Sequence, residues 1–193
     1  MTTIPPTPET GYPLRFSVDY PDRLNRLSTA LRIFWIIPIL IVFDVLGSIL
    51  FAPVLLMLVF RKKYPAWWFD WNLQLSRFQA RVCAYFLLLR DEYPSTDEEQ
   101  AVHLEIDPPQ AETLNRWLPM VKWFLAIPHF VVLFFLAIAA FVVTIIAWFA
   151  ILLTGKYPEG MHGFVVGVAR WGYRVSGYAF LLTTDRYPPF SLD

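Results

Sequence analysis

The chain is predicted to be a mainly α integral membrane protein built from two tandem repeats, each a short strand, a transmembrane helical hairpin and an interfacial amphipathic helix. Three observations predict this. Two apolar runs, residues 33–60 and 123–153, each exceed the roughly 20 residues that span a bilayer, in a chain that is 56% hydrophobic and 18% aromatic. Lys-Tyr-Pro follows each run, at 63–65 and again at 156–158. Other landmarks recur in the same order in both halves, and such self-similarity takes precedence in fold reasoning.

Residues 1–11 form a polar, proline-rich tail. They lack a basic start followed by an apolar stretch, so they do not read as a cleavable signal peptide, and insertion is expected to use the internal runs. Repeat 1 covers 12–94, an acidic linker 95–101, and repeat 2 102–193. The match runs from Val18-Asp19-Tyr20-Pro21 with Ile106-Asp107-Pro108-Pro109, through Leu24-Asn25-Arg26 with Leu114-Asn115-Arg116, to Arg32 with Lys122. It continues past Lys-Tyr-Pro with Arg77 and Arg81 against Arg170 and Arg174, Tyr85 against Tyr178, and Asp91 against Asp185.

Each repeat opens on an alternating segment, 15–21 or 103–109, which reads as a strand. The apolar run comes next. At 1.5 Å per residue, a helix of about 30 residues is roughly 45 Å long, well over the roughly 30 Å of hydrocarbon. A hairpin fits better, with turns near 43–48 and 137–141; re-entrant hairpins, and for the second run a tilted helix, are the competing arrangements. Basic residues flank both ends of each run (Arg32 with Arg61, Lys62 and Lys63; Lys122 with Lys156), and a hairpin keeps them on one side, as the positive-inside rule prefers. The expected location is therefore the inner (cytoplasmic) membrane, multi-pass, with both termini and the linker cytoplasmic.

After Lys-Tyr-Pro, Trp71, Leu75, Phe78, Val82, Tyr85 and Leu89 recur at helical spacing and predict an amphipathic helix. Trp67, Trp68 and Trp71 at its start suit the headgroup layer. The counterpart at 164–182 carries Trp171 and the glycines 163, 167, 172 and 177, which suit close backbone packing against another helix.

The doubled lead-in, the long apolar run, "KYP", an R-x-x-x-R-V-x-x-Y helix and the ending "DRYPPF" together resemble the prokaryotic membrane family designated domain of unknown function 4389. Here two tandem copies cover nearly all of the chain. The first copy departs by ending "RDEYPSTDEE". The resemblance implies topology and a membrane home, and it carries over no catalytic residue.

Composition and spacing bound the chemistry. A formal net charge of zero without a basic block removes the electrostatic footprint of nucleic-acid binding. The single Cys83 excludes an intrachain disulfide and reads as a small buried hydrophobe. His103, His129 and His162 have no ligand spacing, so no metal or cofactor is expected. Asp44 and His129 are the intramembrane polar groups. Asp44 fits a far-side turn, and His129 a hydrogen bond to a neighbouring helix. The Asp residues before Tyr-Pro or Pro-Pro read as turn formers. No nucleophile elbow, phosphate loop or dinucleotide fingerprint is present, and the protein is not expected to be an enzyme.

Arg77, Arg81, Arg170 and Arg174, one turn apart beside aromatics, are candidates for lipid-phosphate or partner contact, as are Trp67, Trp68, Trp71 and Trp171. The two strands are expected to pair beside these arginines as a small cytoplasmic cap. The expected role is a non-catalytic scaffold or accessory subunit that contacts membrane lipids and other membrane protein subunits. A small transporter or channel built from parallel repeats is the alternative.

Overall fold

The computed structural model describes residues 11–47, 51–96, 98–110, 112 and 114–193. In chain order the elements are β1 (Leu14–Val18), α1 (Arg26–Gly47), α2 (Phe51–Leu56) running into a π-helical turn (Met57–Arg61), α3 (Ala66–Phe86), β2 (Val102–Ile106), α4 (Leu118–Leu125), α5 (Ile127–Thr154) and α6 (Glu159–Ala179). Among the described residues the chain is mainly helical with one small strand pair. Among the described residues, α5 is the one helix long and apolar enough to cross a membrane.

The internal repeat is visible in the local backbone. Asn25 caps α1, its Oδ1 accepting from the amides of Leu27 (3.0 Å) and Ser28 (3.3 Å). Asn115 does the same for Trp117 (2.9 Å) and Leu118 (3.3 Å) ahead of α4. These bonds satisfy first-turn amides that lack an intrahelical partner. Lys62 and Gly155, at matched positions before Lys-Tyr-Pro, both take left-handed backbone, φ 48° and 75°. That geometry ends a helix and is cheap only for the glycine.

β1 and β2 pair antiparallel, with Phe16 opposite Leu104, and the repeats exchange them. β2 of repeat 2 lies on α3 of repeat 1, while β1 of repeat 1 lies on α6 of repeat 2. The inward side chains Leu14, Phe16, Val102, Leu104 and Ile106 join Val165, Val166, Ala147 and Ile151 in the largest core. In a second cluster, Ile36 and Ile39 of α1 meet Leu75, Phe78, Val82 and Tyr85 of α3. The predicted stripe on α3 is thus largely the buried one, although Trp71 at its start is exposed. Asn72 and Ser76, placed off that stripe by spacing, are buried as well.

Two expectations change, and a third falls partly outside the described residues. The second hairpin is absent, because α5 runs unbroken through 137–141. "AIAAF" contains no glycine, proline or asparagine, so nothing in it opposes helix propagation. The break falls instead at Ala126, where Pro128 occupies the first turn of α5, a position that tolerates proline. The turn expected at 43–48 lies partly outside the described residues; the backbone of Asp44 belongs to the last turn of α1. Finally, the glycines of α6 serve other neighbours than a helix. A Cβ at Gly167 would meet Leu192 at 2.9 Å and one at Gly177 would meet Leu14 at 2.9 Å, whereas Gly163 and Gly172 have open space.

Candidate functional site

Two matched clamps hold the repeats. In repeat 1, Arg32 is buried and pairs with Asp91, which also accepts the amide of Asn25. Arg32 Nη1 donates to the carbonyls of Tyr85 and Arg90, both at 3.0 Å, and its guanidinium lies 4.4 Å from the Tyr85 ring centre. In repeat 2, Lys122 is 0% exposed. Its Nζ lies 2.8 Å from Asp185 Oδ1, donates to Thr184 O at 2.8 Å and stands 5.1 Å from the Tyr178 ring centre. Asp185 accepts the Asn115 amide at 2.7 Å. Burial holds the Lys122 amine below its ordinary pKa even though Asp185 pulls it upward. Asp91 and Asp185 are therefore counter-ions to buried cations rather than turn formers alone. The signal available in the sequence was the parallel correspondence of Arg32 with Lys122 and of Asp91 with Asp185.

The four arginines come together at the strand ribbon. Backbone hydrogen bonds from Asp19 N to Ala101 O (3.0 Å) and from Asp107 N to Pro13 O (2.8 Å) put the hydrogen-bonded pairs at odd positions of β1, so the carbonyls of Phe16 and Leu104 point out of the ribbon. Arg170 Nε caps the first at 2.9 Å and Arg77 Nε the second at 3.0 Å. Arg81 and Arg174 are buried and reach loop carbonyls, Ser95 O at 2.7 Å and Ser191 O at 3.4 Å. These groups seal strand edges and pin the linker and C-terminal tail.

The tryptophans separate into two kinds. Trp67 and Trp71 are exposed and Trp68 is half-buried. Trp171 is buried instead, its Nε1 donating to Nδ1 of His129 across α5 and α6 at 3.1 Å. His129 also stacks on Phe190, ring centres 3.9 Å apart. Trp171 thus presents no surface, and the side chain of Asp44 lies outside what is described. His162, on α6, sits between Tyr20 and Tyr157, and burial lowers its pKa to about 4. Among the described residues, no group of three or more His, Cys, Asp or Glu side chains is placed to hold a metal.

An exposed apolar face runs along the side of α5 turned away from α6. Val131, Phe135, Ile138, Val142, Phe149 and Leu153 are all exposed, Leu153 to 78%. Contiguous apolar surface beyond a few hundred Å² marks a contact site. Beside it an open groove of about 530 Å³ separates α1 from α5, lined by Ile36, Phe86, Phe141, Ile145, Trp148 and Phe149 among others.

The fold and site define a class: a mainly helical tandem repeat with exchanged strands, internal cation clamps and an unshielded apolar face on α5. The family model described as domain of unknown function (DUF4389) matches residues 26–96 and 117–191, and the chain belongs to that family. Both matched regions start near a capping asparagine, leaving β1 and β2 outside them. No curated protein and no solved structure matches.

Proposed function

We propose that the protein is a non-catalytic membrane-embedded scaffold, an accessory subunit that packs against a larger membrane assembly and its lipids. The observation that carries this reading is the exposed face of α5. A row of Phe, Ile, Val and Leu along a 28-residue helix is stable only against lipid or another apolar surface. The polar groups support the same reading, since Arg32, Lys122, Arg77 and Arg170 are engaged with the protein's own carboxylates, ring faces and strand carbonyls. The ribbon arginines also hold the linker at Ser95 and the tail at Ser191. On this reading these segments share one side of the membrane, the cytoplasmic one. Affinity purification from native membranes in mild detergent, read by mass spectrometry, tests the role. A stoichiometric membrane-protein partner is expected, and a solitary monomer in every detergent would overturn it.

A further inference from the structure

The direction of the strand ribbon relative to α5 constrains how the protein meets a membrane. α6 folds back along α5. At one end Phe180 approaches Trp123 and Phe130, ring centres 6.3 and 6.0 Å apart. At the other end only four residues, 155–158, separate the two helices. The segment 12–20, which contains β1, runs back along α6 from Gly177 to His162. Tyr12 donates to Arg174 O, Leu14 abuts Gly177, Phe16 packs on Tyr173 at 4.9 Å, and Tyr20 reaches His162 and the carbonyl of Tyr157. The axes of α5, α6 and the ribbon therefore run together, in that order of layers.

If α5 stood across a bilayer, the ribbon would stand across it too. Arg170 and Arg77 cap one outward carbonyl on each strand, but the other outward backbone groups of a two-stranded ribbon need water, which hydrocarbon does not supply. Its outer face carries Arg15 paired with Glu105 and Asp107 at 3.1 Å, with all three side chains more than half exposed. Each charge placed at the bilayer centre costs about 3 kcal/mol on insertion scales.

Building on the membrane reading above, we infer that α5 lies in the plane of the membrane, its outward face sunk into one leaflet while α6 and the ribbon face water. The occupant of the apolar face is thus the acyl layer of a single leaflet. Charge agrees with this. Arg116 lies before α4 and Lys156 just past the end of α5, both exposed, and Arg26 joins the same end by donating to Leu153 O at 3.1 Å. Both ends of the helix are then at headgroup level on the same side, where anionic lipid attracts them. Exposed Trp117 and Trp123 suit that same layer. The groove between α1 and α5 opens within this face and takes an acyl chain of the same leaflet. α5 itself is apolar all round, so the packed α6 and ribbon supply the polar side that an amphipathic in-plane helix carries itself; such helices settle about 5–10 Å below the boundary.

The test uses the full chain with Cys83→Ala and single nitroxide-labelled cysteines at Val131, Ile138, Val142 and Phe149. These positions share one helix face and are exposed, so labelling leaves the core intact. A fifth label at Glu105 reports on the ribbon. In phosphatidylcholine–phosphatidylglycerol vesicles, depth is read from collision with oxygen against a water-soluble nickel chelate. In-plane seating predicts four depths agreeing within about one helical turn, ~5 Å, and an aqueous Glu105. A crossing helix spreads positions 131 and 149 over ~27 Å. Such a spread, or a lipid-exposed Glu105, would overturn the inference while leaving the membrane reading standing. Water contact at all four sites would overturn both.

Discussion

Replacing Asp185 with Asn isolates the energetics of the repeat 2 clamp. The Lys122 ammonium is fully buried, and the mutation removes its counter-ion while leaving a carbonyl to accept the Asn115 amide. Breaking a buried pair by removing one partner costs about 3–5 kcal/mol. Asp185 is about a quarter exposed, so water screens part of the loss and the expected cost is about 2–3 kcal/mol. For a chain of this length each kcal/mol moves the thermal midpoint by about 2–4 °C, which gives a drop of about 4–12 °C in detergent. Lys122→Met removes the charge itself. Replacing both members of a buried ion pair commonly costs little because the desolvation of both charges is relieved together, so Lys122→Met/Asp185→Asn should come within about 1 kcal/mol of wild type. The assay is a double-mutant cycle in thermal midpoints. Strictly additive effects, with the double mutant worst of all, would refute the clamp.

Two further outcomes follow from buried groups. His162 is held neutral, its pKa lowered to about 4 in the fold from an ordinary value near 6.5. The unfolded chain therefore binds the proton first as pH falls. The associated stability is complete above about 6.5 and is lost between there and about 4, a full shift equivalent to at most about 3 kcal/mol. His162→Gln should flatten this acid limb of the thermal midpoint between pH 7 and 4.5, and an unchanged slope would exclude His162 as its source. Gly167→Ala puts a methyl 2.9 Å from the backbone carbonyl of Leu192, so the tail must move. A loss of about 1–2 kcal/mol and faster carboxypeptidase trimming of residues 190–193 are expected, and trimming at the wild-type rate would show that the tail is not seated there.

Legibility from sequence followed the range of the interaction. Local signals were readable: alternation marked both strands, and period 3.6 marked the buried side of α3, while the Leu-Asn-Arg match marked the repeat without showing that its asparagines cap helices. An isolated His129 in an apolar helix pointed to a hydrogen bond with a neighbouring helix, but not to Trp171 as its donor. Partners 59 and 62 residues away, such as Asp91 for Arg32 and Thr184 for Lys122, leave no periodic trace. The exchange of strands between repeats is equally silent, since either pairing satisfies the same alternation. The second hairpin failed because it was inferred from length and flanking charge alone. Helix propagation depends on local residues, and "AIAAF" offers none that stops it. The same flanking charges are also met by a helix lying flat, which a length argument does not distinguish from a hairpin.

The central claim, that the apolar face of α5 is immersed in lipid, is tested most directly by extracting native membranes with alkaline carbonate and floating the residue on a density gradient. The account predicts that the full chain resists carbonate, floats with the lipid and is released only by detergent. A protein that stays in the soluble fraction, monodisperse without detergent, would contradict it.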